Sequence, residues 1–258
     1  MIYVNNLSAS YKNKTILHNV SFQINSGDFV CLCGKNGVGK TTLLSVLANL
    51  NNSSLKIENP PEITINNQNI KISSLKPKEC AKKISFMSQK EFSLWDLSVF
   101  DIVLSGRFPY TKSGFYSKND YKIAEEIISE MNLQELKNRN VHSLSDGEFQ
   151  RVRIARSLCQ QSDFILLDEP FSNLDFVYEP KIIDQLKKIA KEKNIGILLS
   201  IHNLNLAARF ADKILLLNEK GCDFAAVEQI FTSEKLSAAF GQPLNVQLQS
   251  VYDCPQIL

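Results

Sequence analysis

Apolar residues along this chain follow two patterns, and each predicts a different kind of strand. The runs Phe29–Cys33, Phe164–Leu167 and Ile195–Ile201 are almost continuously apolar, which is typical of short strands buried on both faces of a parallel sheet. Val20–Ile24 instead alternates apolar and polar residues, which predicts a strand with one face exposed to solvent. The chain therefore has the strands of a buried parallel core and a half-exposed β region near its start.

Helical spacing of apolar residues separates these strands. Residues 90–158 lack strong strand patterns and place Ile123, Ile127 and Met131 on one side of a predicted helix. The chain then returns to alternating strands and helices, which predicts an α/β arrangement. No pattern assigns Gln242–Leu258. The other predicted elements of this part are Pro180–Ala190, Leu204–Phe210, Ile214–Leu217 and Ser233–Phe240.

The first buried run leads directly into a phosphate-binding sequence. Residues 34–41 satisfy G-x-x-x-x-G-K-[ST] at every fixed position, and Leu43, Leu47 and Leu50 follow at helical spacing. Glycines let such a loop turn its N–H groups toward phosphate oxygens, and the N-terminus of the next helix also attracts an anion. A glycine-rich turn without a ligand is the alternative, and the strand before and the helix after argue against it. The predicted ATP-binding residues of this loop are Gly34, Lys35, Asn36, Gly37, Val38, Gly39, Lys40, Thr41 and Thr42.

Two carboxylates, Asp168 and Glu169, end the second buried run. With a phosphate loop upstream, Lys40 is predicted to supply positive charge to the outer phosphates, and Thr41 and Asp168 are predicted ligands of Mg²⁺. Glu169 is then placed to orient and deprotonate the attacking water. An acidic turn after a core strand is the alternative, which the upstream phosphate loop disfavours. These residues predict hydrolysis of ATP, with Mg²⁺ as cofactor.

A third motif, Leu144-Ser145-Asp146-Gly147-Glu148, lies between the loop and the acidic strand end. Ser145 and Glu148 form an S-x-x-E capping box before a helix with apolar periodicity through residue 159. A helix N-terminus is itself an anion site, so a cap and a phosphate contact are compatible. The order of the three motifs resembles that of the ATP-binding cassette (ABC) family, and the resemblance extends from residue 1 to about residue 240.

The resemblance implies a composite site. In ABC proteins the signature helix contacts the γ-phosphate held by a partner subunit, which implies a head-to-tail homodimer with ATP sandwiched between its subunits. This chain carries Asp146 and Glu148 where the family usually has Gly and Gln, and it keeps Gly147, where a backbone N–H must approach phosphate closely. The residues that the resemblance assigns to the partner's nucleotide are Ser145, Asp146, Gly147 and Glu148.

Four further positions match the family residue by residue. Gln89 resembles the glutamine that links Mg²⁺ and the attacking water to the membrane partner, and Asp175 resembles the D-loop aspartate at the dimer interface. His202 resembles the switch histidine that contacts the γ-phosphate, and it follows a strand at the edge where open α/β sheets bind ligands. Tyr11 lies where the family keeps an aromatic residue to stack on adenine, with a strand-edge tyrosine as the alternative.

The resemblance also implies the fold class. ABC ATPases are α/β proteins with a P-loop NTPase fold, in which a RecA-like parallel sheet core carries an N-terminal antiparallel β subdomain and an inserted α-helical subdomain. We therefore expect residues 1–258 to form a single ABC ATPase domain. Its nucleotide-binding core would comprise residues 1–89 and 159–258, and residues 90–158 would form the helical signature subdomain.

The composition of the chain indicates where in the cell the protein is expected to act. The chain has 258 residues, 44% of them hydrophobic, and can bury a full core. Its net charge of +2 argues neither for a nucleic-acid patch nor for an acidic tail, and no apolar run approaches the roughly 18–20 residues that span a bilayer. Met1–Asn5 lacks the features of a signal peptide, and the six cysteines form no C-x-x-C pair, which indicates a reducing cytosol. We expect a peripheral protein at the cytoplasmic face of the cell membrane, held there by partner subunits.

The segment after Gln89 contains the candidate contacts to a membrane partner. In ABC importers this region forms the groove that receives a coupling helix of the permease, and Phe92 and Trp95 are the predicted docking residues, with the subdomain's own core as the alternative. Gly106–Tyr110 is a Gly-Arg-x-Pro-Tyr run that resembles the ATPases of iron-siderophore, haem and cobalamin importers. The expected function is that of the ATP-binding and ATP-hydrolysing subunit of such an importer. A permease is the expected direct partner, a solute-binding protein the indirect one, and nucleic acid is not expected.

Other functions remain as alternatives. A soluble ABC ATPase that acts on nucleic acid or the ribosome usually has a long coiled-coil insertion or two cassettes in one chain, and neither fits this sequence. A nucleotide-binding module without catalysis is disfavoured, because both Glu169 and His202 are present. An importer ATPase for another substrate, such as a metal ion, is a further alternative.

Overall fold

The computed structural model of this chain describes residues 1–12, 14–50, 54–65, 67–89, 96–172, 176–250 and 252–258. Three predicted residues, Phe92, Trp95 and Asp175, lie outside the described residues. The strands that it describes are β1 (Ile2–Tyr11), β2 (Lys14–Ile24), β3 (Phe29–Cys33), β4 (Leu55–Glu58), β5 (Glu62–Ile65), β6 (Gln68–Lys71), β7 (Ile84–Met87), β8 (Phe164–Leu167), β9 (Gly196–Ser200), β10 (Lys213–Asn218), β11 (Gly221–Ala226), β12 (Val246–Gln249) and β13 (Cys254–Ile257). The α-helices are α1 (Lys40–Leu47), α2 (Pro77–Lys83), α3 (Val99–Ser105), α4 (Lys118–Glu130), α5 (Asp146–Cys159), α6 (Glu179–Glu192), α7 (Leu204–Phe210), α8 (Val227–Ile230) and α9 (Ser233–Phe240).

A six-stranded sheet in the order β11-β10-β3-β9-β8-β7 forms the centre of the protein. Its strands pair in parallel except for β11, which is antiparallel to β10. The continuous apolar runs explain this position, because strands covered on both faces need apolar side chains throughout. In β3, Cys31 and Cys33 face one buried cluster, while Val30 and Leu32 face a second cluster on the other side of the sheet. The predicted parallel sheet core is confirmed.

A second, antiparallel sheet is built from the first part of the chain. Its strand order is β2-β1-β5-β6, and β4 pairs with the far end of β1. In β2, Val20 and Phe22 are buried while Ser21 and Gln23 are exposed, as the alternation predicts. The buried side of this sheet shares a hydrophobic cluster with α1 and with one face of β3. The predicted N-terminal antiparallel β region is therefore present beside the core sheet.

The helices α3, α4 and α5 lie between β7 and β8 in the sequence. Each begins after a serine whose side chain accepts a hydrogen bond from the N–H three residues further on, which stabilises a helix start. Ile123, Ile127 and Met131 are all buried, as their helical spacing predicts. The predicted helical character of this part of the chain is confirmed for its described residues.

Arg107 of the Gly106–Tyr110 run is buried within this helical part. Its Nε donates a hydrogen bond to Asp120 Oδ1 at 2.9 Å, and its Nη1 donates to the carbonyl oxygen of Cys159 at 3.0 Å. The guanidinium carbon also lies 3.9 Å from the centre of the Tyr110 ring. The arginine of this run therefore joins α4 to the end of α5.

Two features differ from the sequence patterns. Leu50, which the spacing assigns to the first helix, is 63% exposed, because α1 ends at Leu47 and Asn49 turns the chain with a φ of +56°. Gln242–Leu258, which no pattern assigns, contains the antiparallel hairpin of β12 and β13. Among the helices of the described residues, we find none with the length and apolar character needed to cross a bilayer.

Candidate nucleotide site

The strand order brings the predicted site segments to one edge of the core sheet. β3, β9, β8 and β7 are consecutive neighbours and run parallel. Gly34 follows β3, His202 lies two residues after β9, Asp168 follows β8 and Gln89 lies two residues after β7. Parallel strands present their carboxyl ends at the same edge, which is where open α/β sheets bind ligands. Segments that are far apart in sequence therefore meet here.

Two glycines fix the path of the phosphate loop. Gly34 has a φ of +148°, and a Cβ added there would lie 2.5 Å from the carbonyl oxygen of Leu217. Gly39 has a φ of +110°, and a Cβ there would lie 2.9 Å from Cδ2 of Leu17. Both angles favour glycine, and both sites lack room for a side chain. The loop is thus pressed against β10 at one end and against β2 at the other.

The loop leads into α1, whose N-terminus is open. Gly39 is its N-cap residue, no side chain among the described residues caps it, and its first turn has no acidic residue. The Nζ atom of Lys40 donates hydrogen bonds to the carbonyl oxygens of Gly34 at 2.8 Å and Lys35 at 3.2 Å. Burial lowers the pKa of the Lys40 ammonium, and the negative charge of Glu169 opposes this effect. The N–H groups of α1 and the Lys40 charge together form an anion-binding arrangement.

Asp168, at the end of β8, is fully buried and accepts hydrogen bonds on both carboxylate oxygens. The Thr41 hydroxyl donates to its Oδ2 at 2.7 Å, and the Ser200 hydroxyl donates to its Oδ1 at 2.7 Å. A buried carboxylate needs such partners, because an unpaired buried charge is costly. The two predicted Mg²⁺ ligands Thr41 and Asp168 are thereby in direct contact.

Glu169 contacts both of the other predicted catalytic residues, Gln89 and His202, through its carboxylate. Its backbone adopts a left-handed φ of +48°, which is uncommon for a residue other than glycine, and its N–H donates to Ser200 Oγ at 2.7 Å. Gln89 Nε2 donates to its Oε2 at 2.7 Å, and His202 Nε2 lies 2.6 Å from its Oε1. The side chain of Glu169 is 15% exposed and that of His202 is 48% exposed. Gln89, Glu169 and His202 therefore form one polar group that solvent can reach.

An open cavity of about 430 Å³ joins this group to the phosphate loop. Such a volume is typical of small-molecule sites. Tyr11, at the end of β1, is 37% exposed and borders the cavity. Lys35 and Val38 instead line a neighbouring cavity of about 230 Å³. The predicted site residues that line the larger cavity are Tyr11, Asn36, Gly37, Gly39, Lys40, Thr41, Thr42, Gln89, Glu169 and His202.

The donor set beside the cavity suits Mg²⁺. The Thr41 hydroxyl donates a hydrogen bond to the Asp168 carboxylate, and the Gln89 amide donates one to the carboxylate of Glu169, the next residue in the chain. Oxygen ligands of this kind, completed by waters and by phosphate oxygens, are what Mg²⁺ prefers in nucleotide enzymes. Within the described part of the chain, no group of three or more His, Cys, Asp or Glu side chains could hold a metal ion by itself.

The signature residues lie apart from this cavity. Ser145 Oγ accepts a hydrogen bond from the Glu148 N–H at 3.3 Å and donates to Glu148 Oε2 at 2.9 Å. Glu148 Oε2 also accepts from the Ser145 N–H at 2.8 Å, and these hydrogen bonds lower the pKa of Glu148. The predicted capping box is therefore formed. None of the residues 145–148, all of which the structure describes, lines the cavity of the same subunit.

Sequence patterns missed three polar residues that hold the site together. Ser200 links Asp168 to the Glu169 backbone, and its signal is a hydroxyl residue at the end of an otherwise apolar strand. On α5, Gln150 Nε2 donates to the carbonyl oxygen of Glu169 at 3.3 Å, and Arg153 donates to the carbonyl oxygens of Ser88 and Gln89. The signal for Gln150 and Arg153 is their i, i+3 spacing, which puts them on one helix face.

Comparison with known proteins agrees with this geometry. The family described as ABC transporter matches residues 17–172. A protein of Helicobacter pylori named as a probable iron chelatin transport ATP-binding protein is 35% identical over 246 residues, which cover 95% of this chain and 94% of the relative.

Two solved structures are similar along most of their length. One is described as an inward-facing conformation of a metal-chelate type ABC transporter, with a TM-score of 0.81, 30% identity and coverage of 100% of this chain and 97% of the other. The second is a dimeric ATP-binding cassette in a post-hydrolysis state bound to ADP and Pi, with a TM-score of 0.73, 28% identity and coverage of 88% and 99%. The resemblance of the motifs and the P-loop NTPase fold class are thereby confirmed, and this chain belongs to the ABC transporter family, whose ATP-binding subunits hydrolyse ATP.

Proposed function

We propose that this protein is the ATP-hydrolysing subunit of an importer, and that the cavity beside Lys40 is where it binds and cleaves ATP. One observation carries this proposal. Residues of the phosphate loop and the group formed by Gln89, Glu169 and His202 line this cavity together, and the lining residue Thr41 is hydrogen-bonded to the buried Asp168. These parts are suited to three different tasks, which are phosphate binding, Mg²⁺ binding and activation of water. Hydrolysis of ATP requires all three at one place.

ATP would bind with its phosphates in the loop and its base toward Tyr11. The N–H groups at the start of α1 would receive phosphate oxygens. The Lys40 ammonium, which donates to the carbonyl oxygens of Gly34 and Lys35 in this structure, would donate to the outer phosphates instead. The buried stem of Lys40 would move little. Tyr11 at the cavity edge would stack on the adenine ring.

Hydrolysis would use the group around Glu169. Thr41, Asp168 and Gln89 would hold Mg²⁺, which neutralises charge on the phosphate oxygens. Glu169 would accept a proton from the water that attacks the γ-phosphorus, as the bond from that phosphorus to the bridging oxygen breaks and ADP and phosphate form. His202, which contacts Glu169 Oε1, would hold this carboxylate in place and contact the γ-phosphate.

A second copy of the chain would complete each site. Ser145, Asp146, Gly147 and Glu148 are proposed to contact the nucleotide of the partner subunit in a head-to-tail homodimer, with Asp175 at the interface. Their separation from the cavity of their own subunit supports this arrangement. We further propose that residues 90–158 act as the helical signature subdomain of a core formed by residues 1–89 and 159–258.

The transported substrate is proposed to be an iron complex, a siderophore or haem, or cobalamin. The Gly106–Tyr110 run and the similarity to an iron chelatin transport protein and to a metal-chelate type transporter support this substrate class. The chain would act at the cytoplasmic face of the membrane, docked to permease subunits, with Phe92 and Trp95 as candidate contacts. A solute-binding protein would deliver the substrate to the permease.

Substitution of Glu169 tests the catalytic assignment. Glu169→Gln should keep ATP affinity and lower the rate of ATP hydrolysis by about 100-fold or more, because an amide cannot accept the proton of the water. The matched change Glu126→Gln, on the exposed side of α4, should leave the rate unchanged. Phosphate release and equilibrium ATP binding are the measurements. A Glu169→Gln rate above about a tenth of the parent rate would show that Glu169 is not the general base.

A further inference from the structure

The hairpin of β12 and β13 is hydrogen-bonded to the helix that follows His202. The Ile257 N–H donates to Asn205 Oδ1 at 2.8 Å, and Asn205 Nδ2 donates to the Ile257 carbonyl oxygen at 3.1 Å. Gln256 Nε2 adds a third hydrogen bond, to the backbone carbonyl oxygen of Asn205 at 3.2 Å. The side-chain amide of Asn205 thus pairs with β13 as the peptide group of a neighbouring strand would.

The same hairpin also contacts the second turn of α7. The guanidinium carbon of Arg209 lies 4.3 Å from the ring centre of Tyr252, in the connection between β12 and β13. Asn205 and Arg209 are four residues apart and so share one face of α7. Ala207 and Ala208 of this helix are buried in the core. The helix is therefore held between the core and the hairpin.

His202 depends on α7 for its position. It lies two residues after the end of β9 and directly before Asn203, the N-cap residue of α7, whose side chain accepts a hydrogen bond from the Leu206 N–H at 3.2 Å. α7 has seven residues, and helices shorter than about 12–15 residues are marginal without tertiary contacts. The strand fixes one side of the His202 segment, and the docked helix fixes the other.

We propose that Asn205 and the β12–β13 hairpin position His202 for its contact with Glu169. This inference rests on the proposed function, in which that contact serves catalysis. The hairpin would keep the first turn of α7 docked, so that His202 Nε2 stays 2.6 Å from Glu169 Oε1. Asn205 does not belong to the described residues that line the nucleotide cavity, so it is a positioning residue that acts through His202.

The chain has three histidines, which allows a direct test by NMR. In protein with ¹³C-labelled histidine, Asn205→Ala should shift or broaden the ring signals of His202 and leave those of His18 and His142 in place. The same variant should lower kcat for ATP hydrolysis by about tenfold at an unchanged KM, because a displacement of about 1 Å at a reacting centre can cost up to 100-fold. Asn205→Asp keeps the acceptor for the Ile257 N–H and loses the donor, so it should produce a smaller change of the same kind.

Asn245→Ala is the matched control. Asn245 lies beside β12, and its backbone carbonyl, which accepts from the Leu258 N–H at 3.1 Å, survives the substitution, so neither readout should change. Unchanged His202 signals in Asn205→Ala would overturn the inference, even with a loss of thermal stability. So would an unchanged kcat in Asn205→Ala if His202→Ala lowers kcat. If Asn205→Ala does not fold, the same criteria apply to Asn205→Asp.

His202→Ala separates this inference from the proposed function. If that variant keeps the parent kcat, the catalytic assignment of His202 is wrong, and the inference that the hairpin serves catalysis is wrong with it. The NMR signals would still report whether the hairpin positions the ring. If His202→Ala lowers kcat while Asn205→Ala leaves both kcat and the signals unchanged, the proposed function survives and the inference alone fails.

Discussion

Two helix starts in this protein are proposed to contact phosphate, and their first N–H groups have different partners. α1 begins after Gly39, which has no side chain, and its first turn has no acidic residue. α5 begins after Ser145, whose hydroxyl accepts from the Glu148 N–H, and its first turn contains Asp146 and Glu148. Every α-helix leaves its first four N–H groups without partners inside the helix. No side chain among the described residues caps those of α1, whereas α5 pairs two of them within its own chain, the Ser145 N–H with Glu148 Oε2 and the Glu148 N–H with Ser145 Oγ.

The difference indicates which of the two starts can bind nucleotide unaided. At α1, the N–H groups stand beside Lys40 and Thr41, which line the cavity, and the Thr41 hydroxyl is hydrogen-bonded to the buried Asp168. At α5, the Glu148 carboxylate already holds the Ser145 hydroxyl, so an arriving phosphate would meet negative charge and a competing acceptor. We therefore expect α1 to hold nucleotide in a single subunit. α5 should contribute only when a partner subunit presents a nucleotide already bound to its own α1.

A mixed dimer gives the largest expected effect on this comparison. In a Glu169→Gln background, Lys40→Ala and Ser145→Ala should each damage both sites of their own homodimer. In a mixed dimer, one site collects both lesions and the other has an intact loop and an intact signature helix. Equal mixing with random association should therefore restore one closed site in about half of the dimers. The quantity to measure is labelled ATP retained after gel filtration. Retention equal to the average of the two separate variants would show that Ser145 works within its own subunit or only caps its helix.

The cap itself should have a smaller, measurable effect on stability. Ser145→Ala should lower the free energy of unfolding of the isolated subunit by about 1 kcal/mol, because one N-cap hydrogen bond is lost. Thr232→Ala removes the corresponding cap of α9, where the Thr232 side chain accepts from the Lys235 N–H, and should cost a similar amount. Chemical denaturation measures both. Only Ser145→Ala should also reduce ATP retention, and an equal reduction in the two variants would mean that retention simply follows stability.

The smallest expected effect concerns pH. Hydrogen bonds from Ser145 lower the pKa of Glu148, and Arg139 nearby acts in the same direction. A carboxylate whose pKa is lowered on folding stabilises the protein above its unfolded pKa of about 4.3, and this stabilisation is lost as the pH falls through the folded pKa. Glu148→Gln should therefore reduce the free energy of unfolding at neutral pH by less than Ser145→Ala does, and the difference from the parent should shrink below about pH 4. A difference that stays constant over this range would show that the charge of Glu148 does not contribute.

The features that could be predicted from the sequence depend on residues close together in the chain. The phosphate loop is one run, Gly34–Thr41, and the α5 cap needs only Ser145 and Glu148, three residues apart. The apolar runs place β3, β8 and β9 in a buried parallel sheet. The catalytic and binding assignments of these residues stay predictions.

The pairings within the site could not be predicted from local patterns. Gln89 and Glu169 are 80 residues apart, and Thr41 and Asp168 are 127 residues apart. Their contacts follow from the order in which β7, β8, β9 and β3 lie side by side, which is a property of the whole fold. Family resemblance suggested that these residues cooperate, but the hydroxyl of Ser200 that links two of them had no motif of its own.

The hairpin shows a second limit of local patterns. β12 carries Leu248, which is 72% exposed, and β13 contains Pro255, a residue that is unfavourable inside strands. A lone two-stranded hairpin is marginally stable in water. Contacts with distant parts of the chain support this one: hydrogen bonds to Asn205, about 50 residues earlier, a hydrogen bond from the Val246 N–H to Ser233 Oγ, and packing of Val246 and Ile257 against the core. Such support is a tertiary contact, so no pattern within Gln242–Leu258 could indicate it.

β3 has a consequence for how the chain tolerates insertions and deletions. Its alternate side chains enter two different clusters, with Cys31 and Cys33 on one side and Val30 and Leu32 on the other. A one-residue insertion or deletion in this strand would exchange these two sets between the clusters. It would also displace Gly34 by about 3.3 Å along the strand, against the backbone of Leu217. The register of β3 therefore sets the position of the phosphate loop. A change in its length would destabilise the fold by mispacking both sides of the sheet, in addition to displacing the loop from its site.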